Sequence, residues 1–179
     1  MVEQLVERIR QKDQRAMSQF YQMYVEELSS VCYRYVPSRR DAKDVLQNSF
    51  VKIFMSIPTM DYRAEEALWG WMKRVVVNES LAYLRDKKRL LFVEHSLADV
   101  EQTDDDPQPE RISADELHQL ISELPDGYRT VMNLFVFENY SHKQIAEILG
   151  ITENTSASQL FYAKRLLAKK IKAFMNERR

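Results

Sequence analysis

Residues 140–167, YSHKQIAEILGITENTSASQLFYAKRLL, constrain the chain more than any other stretch, because they read as two helices joined by a tight turn. Ser141 is placed to cap the first helix, and Gln144 three residues on completes a capping-box pattern. Ile145, Ile148 and Leu149 give that helix an apolar face. Gly150 stands where the helix must stop and the chain needs a left-handed residue. Thr152 then caps a second helix that runs long and becomes basic. A pair of this kind places its second helix in a DNA major groove, with the N-terminal residues meeting base edges. The bland alternative is a helical hairpin in a core. The caps on both helices, with Ala146 and Gly150 at this spacing, favour the DNA-binding reading.

The chain has 179 residues, enough for one ordinary domain or two small ones. Three glycines and five prolines argue against a β-rich or loop-rich fold, and 45% hydrophobic with 30% charged residues indicates a folded, helix-dominated protein. No apolar run approaches the roughly 20 residues that span a bilayer. The first residues, MVEQLVERIRQKDQ, carry charge throughout and lack the apolar core of a signal peptide. Cys32 is the only cysteine, so no intrachain disulfide can form and a cytoplasmic setting is expected.

A formal net charge of −1 looks wrong for a nucleic-acid binder, but the total conceals a strong segregation. Between 73 and 89, six Lys/Arg (Lys73, Arg74, Arg85, Lys87, Lys88, Arg89) face only Glu79 and Asp86. Between 157 and 179, seven face Glu177 alone. Between 94 and 110 there are seven acidic residues and no basic one.

The organisation follows from helical periodicity and its breaks. Phe20, Tyr24, Leu28, Val31 and Tyr35 mark helix within 3–36, closed by Pro37. Val45, Leu46, Phe50, Ile53, Phe54 and Ile57 line a helix over 41–57, closed by Pro58. Residues 66–91 read as a further helix containing Trp69, Trp71, Val75, Leu81 and Leu84. Residues 93–112, with Pro107, Pro109 and three consecutive aspartates, cannot bury a core and read as a flexible acidic linker. Helical pattern resumes at Ser113, with Leu117, Leu120, Ile121 and Leu124 on one helix. Tyr128, Val131, Met132, Leu134 and Phe135 lie on the next, which starts near Pro125 and ends near Asn139. The expected fold is all-α: two small helical domains, 1–92 and 113–179, joined by the linker.

Catalysis finds no support. The three histidines (His95, His118, His142) lack metal-ligand spacing with each other or with Cys32, so no metal or cofactor is expected. There is no phosphate-binding glycine loop and no nucleophile elbow. Within 68–89, aromatics beside basic residues suit single-stranded nucleic acid, with bases stacking on rings while Lys and Arg track phosphates. Trp71 reads as a core residue and Trp69 as an interface one. Asn78 stands out as a polar position in an otherwise apolar or charged helix.

Taken in order, these segments resemble the extracytoplasmic-function (ECF) sigma factors of bacterial RNA polymerase. DAKDVLQNSFVKIF at 41–54 resembles that family's helix for docking on the β′ clamp helices. LWGWMKRVVVNESLAYLR at 68–85 resembles the stretch that recognises and opens the −10 promoter element. LPDGYRTVMNL at 124–134 and YSHKQIAEILGITENTSASQL at 140–160 resemble the helices of the −35-reading domain. Leu68, Ala82 and Asn48 depart from the family pattern, as do Ser156, Ala157 and Gln159 in the recognition helix.

The resemblance implies an alternative sigma factor, not an enzyme, that binds core RNA polymerase through the β′ clamp helices and the β flap and directs initiation at promoter DNA. It implies polymerase docking by Asp41, Asp44, Gln47 and Phe50. It implies −10 contacts by Trp69, Lys73, Arg74, Asn78, Arg85, Lys87, Lys88 and Arg89. For −35 DNA, it combines with the helix geometry to implicate Ser141, Asn154, Thr155, Ser158 and Gln159, with Lys164 and Arg165 on phosphates and Leu160, Ala163 and Leu167 buried. It further implies an anti-sigma partner, membrane-bound or cytosolic, with no direct membrane insertion of this chain. The competing reading is a helix-turn-helix regulator that acts without polymerase docking, and a remoter one is a helical adaptor that binds no DNA.

Overall fold

The computed structural model describes residues 1–92 and 112–178. The expected linker, 93–112, lies outside these except for Ile112. Among the described residues the chain is all-helical and divides into two compact units, Met1–Lys87 and Lys88–Arg179.

The first unit holds α1 (Val2–Arg10), α2 (Gln14–Tyr35), α3 (Arg39–Ser56) and α4 (Glu65–Asp86), with a 3-10 turn at Ile57–Thr59 before α4. Each start has a local cause. The Asp13 carboxylate accepts the backbone N–H groups of Arg15 and Ala16, and the Ser38 hydroxyl accepts that of Asp41. Helices α2, α3 and α4 pack on one another, and α1 lies against α2 and the 3-10 turn. Their shared core contains Phe20, Leu28, Tyr35, Ile53, Met72, Leu81 and Leu84, all fully buried. Phe20, Tyr24, Phe50, Phe54 and Tyr21 form a chain of ring contacts 4.6–6.0 Å apart.

Two small hydroxyls let these helices approach closely. Ser49 donates to the Val45 carbonyl and Ser80 to the Val76 carbonyl, each 2.8 Å, so each hydroxyl is satisfied inside its own helix. Ser80 also reaches the Cys32 sulfur at 3.8 Å, and burial pushes that thiol up to about 11.

The second unit holds α5 (Ala114–Ser122), α6 (Asp126–Val136), α7 (His142–Leu149) and α8 (Glu153–Glu177). Ser113 and Glu116 form a capping box on α5. Helix α8 touches each of the other three and is the centre of the unit. Its 25 residues make a rod about 37 Å long. Near its far end it is tied to α5 and the turn after it, by Lys170 to Glu123 at 2.8 Å and Arg178 to Glu116 at 2.5 Å.

The expected helix over 66–91 overruns. It stops at Asp86, because Lys88 adopts a left-handed conformation (φ 52°) that ends the helical path. The first domain was expected to reach residue 92, yet residues 88–92 pack on the second unit. The Arg89 guanidinium meets the Asp126 carboxylate at 2.6 Å.

Candidate nucleic-acid interface

The turn between α7 and α8 follows the local chemistry of its sequence. The Ser141 hydroxyl accepts the Gln144 amide at 3.2 Å, and the Gln144 side-chain oxygen accepts the Ser141 amide at 2.9 Å. Gly150 sits at φ 68°, and its amide bonds back to the Ala146 carbonyl. The Thr152 hydroxyl accepts the Thr155 amide at 3.0 Å and caps α8.

Rotation of α8 about its axis differs from the sequence-based expectation. Asn154 is exposed, but Thr155, Ser158 and Gln159 are buried, the last completely. They cannot face a groove in this arrangement. The physical reason is the central position of α8, which α6 and α7 flank together. Ser156 is fully buried and lies 2.9 Å from His142 Nδ1 on α7. Gln159 Oε1 lies beside Gly127 on α6. The Thr155 hydroxyl meets that of Thr152, and Ser158 donates to the Thr155 carbonyl, so both bond locally. Leu160 and Ala163 are buried as expected, whereas Leu167 is only half-buried.

Along the first half of α8 a narrow stripe spaced three and four apart stays open: Asn154, half-buried Ala157, Phe161 and Lys164. Phe161 is 39% exposed, packed edge-on against Tyr162. Lys164 Nζ lies 6.0 Å from the centre of the Phe135 ring, and Arg165 is half-buried beside the stripe. Ser141 is exposed at the start of α7, with its hydroxyl already engaged in the cap.

Helix α4 carries the second set of candidates. Arg74, Asn78 and Arg85 are exposed, and their spacings of four and seven place them on one stripe. Trp71, seven residues before Asn78, shares it. Trp69, nine residues before Asn78, stands about two and a half turns away, on the opposite side. There it stacks on Tyr24 of α2, with centroids 6.4 Å apart. Both tryptophans are half-buried: Trp69, expected at the interface, lies on the side that stacks on Tyr24, and Trp71, expected in the core, lies on the open stripe. Lys73 is half-buried and off the stripe. Lys87 is exposed, with its ammonium over the Tyr83 ring at 5.9 Å, and Lys88 is exposed at the helix end. Arg89 is corrected: it leaves the α4 face and pairs with Asp126, which also pairs with buried Arg129. Burial lowers the Arg129 pKa, and the Asp126 carboxylate opposes that.

On α3, Asp44 and Gln47 are exposed and Asp41 is half-buried in the first turn. Phe50 is buried against Tyr21, with ring centroids 4.6 Å apart, so it supports the face and does not form it. Two apolar side chains absent from the sequence-based expectation complete the face: Val51 and Met55, 56% and 74% exposed. Their signal in the sequence was apolar residues lying off the core stripe of Val45, Phe50 and Ile53.

No described residues form a group of three or more His, Cys, Asp or Glu side chains able to hold a metal ion. Among the described residues no helix is long and apolar enough to cross a membrane.

The family model described as Sigma-70 region 2 matches residues 20–90, and that described as Sigma-70, region 4 matches residues 114–167. The ECF RNA polymerase sigma-E factor of Haemophilus influenzae is 33% identical to this chain, over 96% of this chain and 95% of the relative. This chain belongs to the ECF sigma factors of the sigma-70 family. The RNA polymerase sigma-H factor of Pseudomonas aeruginosa is 26% identical over 98% of this chain and 96% of its own length. For SigW of Bacillus subtilis the values are 24%, 96% and 97%. A solved structure described as CnrH in complex with the cytosolic domain of CnrY aligns over 94% of this chain and 96% of that one. Its TM-score of 0.46 and 19% identity are too loose for a residue-level comparison. As an alternative sigma factor, the protein directs transcription initiation with RNA polymerase.

Proposed function

We propose a division of labour within that activity. The first unit acts as the polymerase-docking and −10 domain, 113–179 as the −35 domain, and 93–112 as the acidic linker, with residues 88–92 packed on the second unit. The docking face is the exposed side of α3, where Asp44 and Gln47 border Val51 and Met55. An apolar patch with an acidic and amide rim suits helices such as the polymerase β′ clamp, while the β flap takes the second unit. The α4 stripe of Trp71, Arg74, Asn78 and Arg85 captures the unpaired −10 non-template strand. An indole offers a base a stacking surface, the guanidinium groups hold phosphates, and Asn78 reads a base edge. Capture offsets the few kcal/mol that unstacking a base costs. The α8 stripe of Asn154, Ala157, Phe161 and Lys164 enters the −35 major groove. The chain acts in the cytoplasm, and an anti-sigma protein covers these faces when the factor is held inactive.

The observation that carries this reading is the stripe on α4: an aromatic, two arginines and an asparagine aligned on the side of the helix away from its buried face of Leu68, Met72, Val76, Val77, Leu81 and Leu84. Reconstitution with core polymerase tests it. Asn78→Ala is expected to leave core binding unchanged and to lower permanganate reactivity of the melted −10 thymines several-fold. Normal melting in that variant would make Asn78 a surface residue without a role in opening.

A further inference from the structure

Residues 88–92 form a short strap across the start of α6. Lys88 turns the chain at φ 52°. The Leu91 amide bonds to the Arg89 carbonyl at 3.1 Å, which tightens the strap on itself. Arg89 then reaches Asp126 with both Nε, at 2.6 Å, and Nη2, at 3.5 Å. Beneath the strap lies Gly127, and the fit is close. A Cβ there would stand 2.6 Å from the Leu91 carbonyl oxygen and 3.5 Å from the Phe92 ring. Gly127 has no unusual backbone conformation that would require glycine, since it lies inside a regular helix. Gln159 Oε1, at 3.4 Å, and the Phe92 ring would be in ordinary contact, so the one prohibitive clash is with the strap's Leu91 carbonyl.

The strap draws Arg89 away from a run of basic residues, Arg85, Lys87, Lys88 and Arg89, all four of them exposed, by pairing its guanidinium with Asp126. Asp126 occupies the Nε–Nη2 edge of Arg89, the edge on which a DNA phosphate would bind with two hydrogen bonds, so the two compete for it. We propose that this strap is an autoinhibitory latch that withholds Arg89 from single-stranded promoter DNA, and that docking of DNA phosphate on Arg89 and release of the strap from Gly127 are one event. This rests on the reading of α4 and its C-terminal end as the −10 surface. It adds a reserve cation to that surface, together with the intramolecular competitor that controls it.

Gly127→Ala in the full chain separates the latch from the surface. Alanine suits the first turn of α6 better than glycine does, so the helix is retained, while its methyl group collides with the Leu91 carbonyl. Trypsin cleavage after Lys88 and Arg89, followed by mass spectrometry, should quicken about tenfold in Gly127→Ala if the protected population falls by that factor. Affinity for a fluorescent single-stranded oligonucleotide of mixed sequence should rise about fivefold at low salt, with log K against log[salt] steeper by about 0.7, the mark of one added phosphate contact. The double variant Arg89→Gln, Gly127→Ala should lose both the tightening and the extra slope while keeping the fast cleavage. Unchanged cleavage in Gly127→Ala would overturn the strap. Fast cleavage with unchanged slope, or tightening that survives in the double variant, would overturn the withholding of Arg89. Either result leaves the α4 reading to be judged separately, since Asn78→Ala tests that without touching the strap. Should Gly127→Ala prove unfolded by circular dichroism, Arg89→Ala serves in its place. It cuts the ionic hold, and the latch stands only if cleavage after Lys88 then quickens.

Discussion

The most instructive residues are Gln159 and Phe161 on α8, because polarity misleads about both. Gln159 is polar and wholly enclosed, and Phe161 is apolar and open. Gln159→Ala should therefore lower the unfolding free energy by about 1–3 kcal/mol, the cost of disturbing a buried amide. It should leave base preference within the −35 element unchanged. Phe161→Ala should do the reverse, weakening selection at one base pair by about 1 kcal/mol if the ring covers a single thymine methyl. Chemical denaturation and binding to a set of singly substituted −35 duplexes read the two effects separately. Altered base preference in Gln159→Ala would return that residue to the groove.

Cys32 makes a second prediction at this scale. Its thiol is raised to about 11 chiefly by burial, so the folded protein favours the neutral form more than the unfolded chain does. The corresponding stability is fully present below the unfolded thiol pKa, near 8.5. It is lost as pH rises from there through about 11. Below pH 8 a thiol reagent should label Cys32 at the rate of global unfolding. In Cys32→Ser, the loss of stability between pH 9 and 11 should be smaller than in the parent protein. Rapid labelling of the native protein at pH 7 would contradict its burial.

At the scale of single elements, sequence reading succeeded where the cause was local. Ser141 with Gln144, Gly150 and Thr152 announce the ends of α7 and α8 because each acts on amides within three or four residues. The rotation of α8 was illegible for the opposite reason. Which side of a helix rich in Thr, Ser and Gln turns inward is decided by α6 and α7, which flank it. The same holds for the tryptophans of α4, where Tyr24 of α2 claims Trp69. The end of α4 was overrun because Leu90 and Leu91 continue the helical period, and nothing in the pattern reveals that Lys88 turns left-handed.

The two ends of the α7–α8 turn also differ in what they tolerate. A Cβ on Gly150 meets no atom within 4 Å, so Gly150→Ala suffers only from its φ of 68°. It should cost about 1 kcal/mol. Thr152→Ala, which removes the hydroxyl that accepts the Thr155 amide, should cost a similar ~1 kcal/mol. Both should lower the melting temperature without altering which −35 sequence is preferred.

For the molecule as a whole, the expectation is of two separately stable helical units, each with its own core. Limited proteolysis of the free factor should cut first between 94 and 112, ahead of any site in 41–85. First cleavage within α3 or α4 would argue against independent units. Charge reversal on the α3 face, Asp44→Lys, should weaken association with core polymerase and leave the thermal unfolding of the isolated factor unchanged. Unaltered affinity in a pull-down would place the docking surface elsewhere.

The make-up of the open stripe on α8 has a thermodynamic consequence. Of Asn154, Ala157, Phe161 and Lys164, only the last carries a charge, and the ring of Phe161 stands in solvent in the free protein. Contact with base methyl groups would remove apolar surface from water and give a negative heat capacity of association. Few counterions would be displaced by the stripe itself, which keeps the ionic-strength dependence shallow. Binding calorimetry of the second unit on −35 duplex would show an enthalpy that grows steadily more favourable on warming. Were the stripe to supply most of the contact, the grip of this factor on upstream DNA would change with temperature more than with salt.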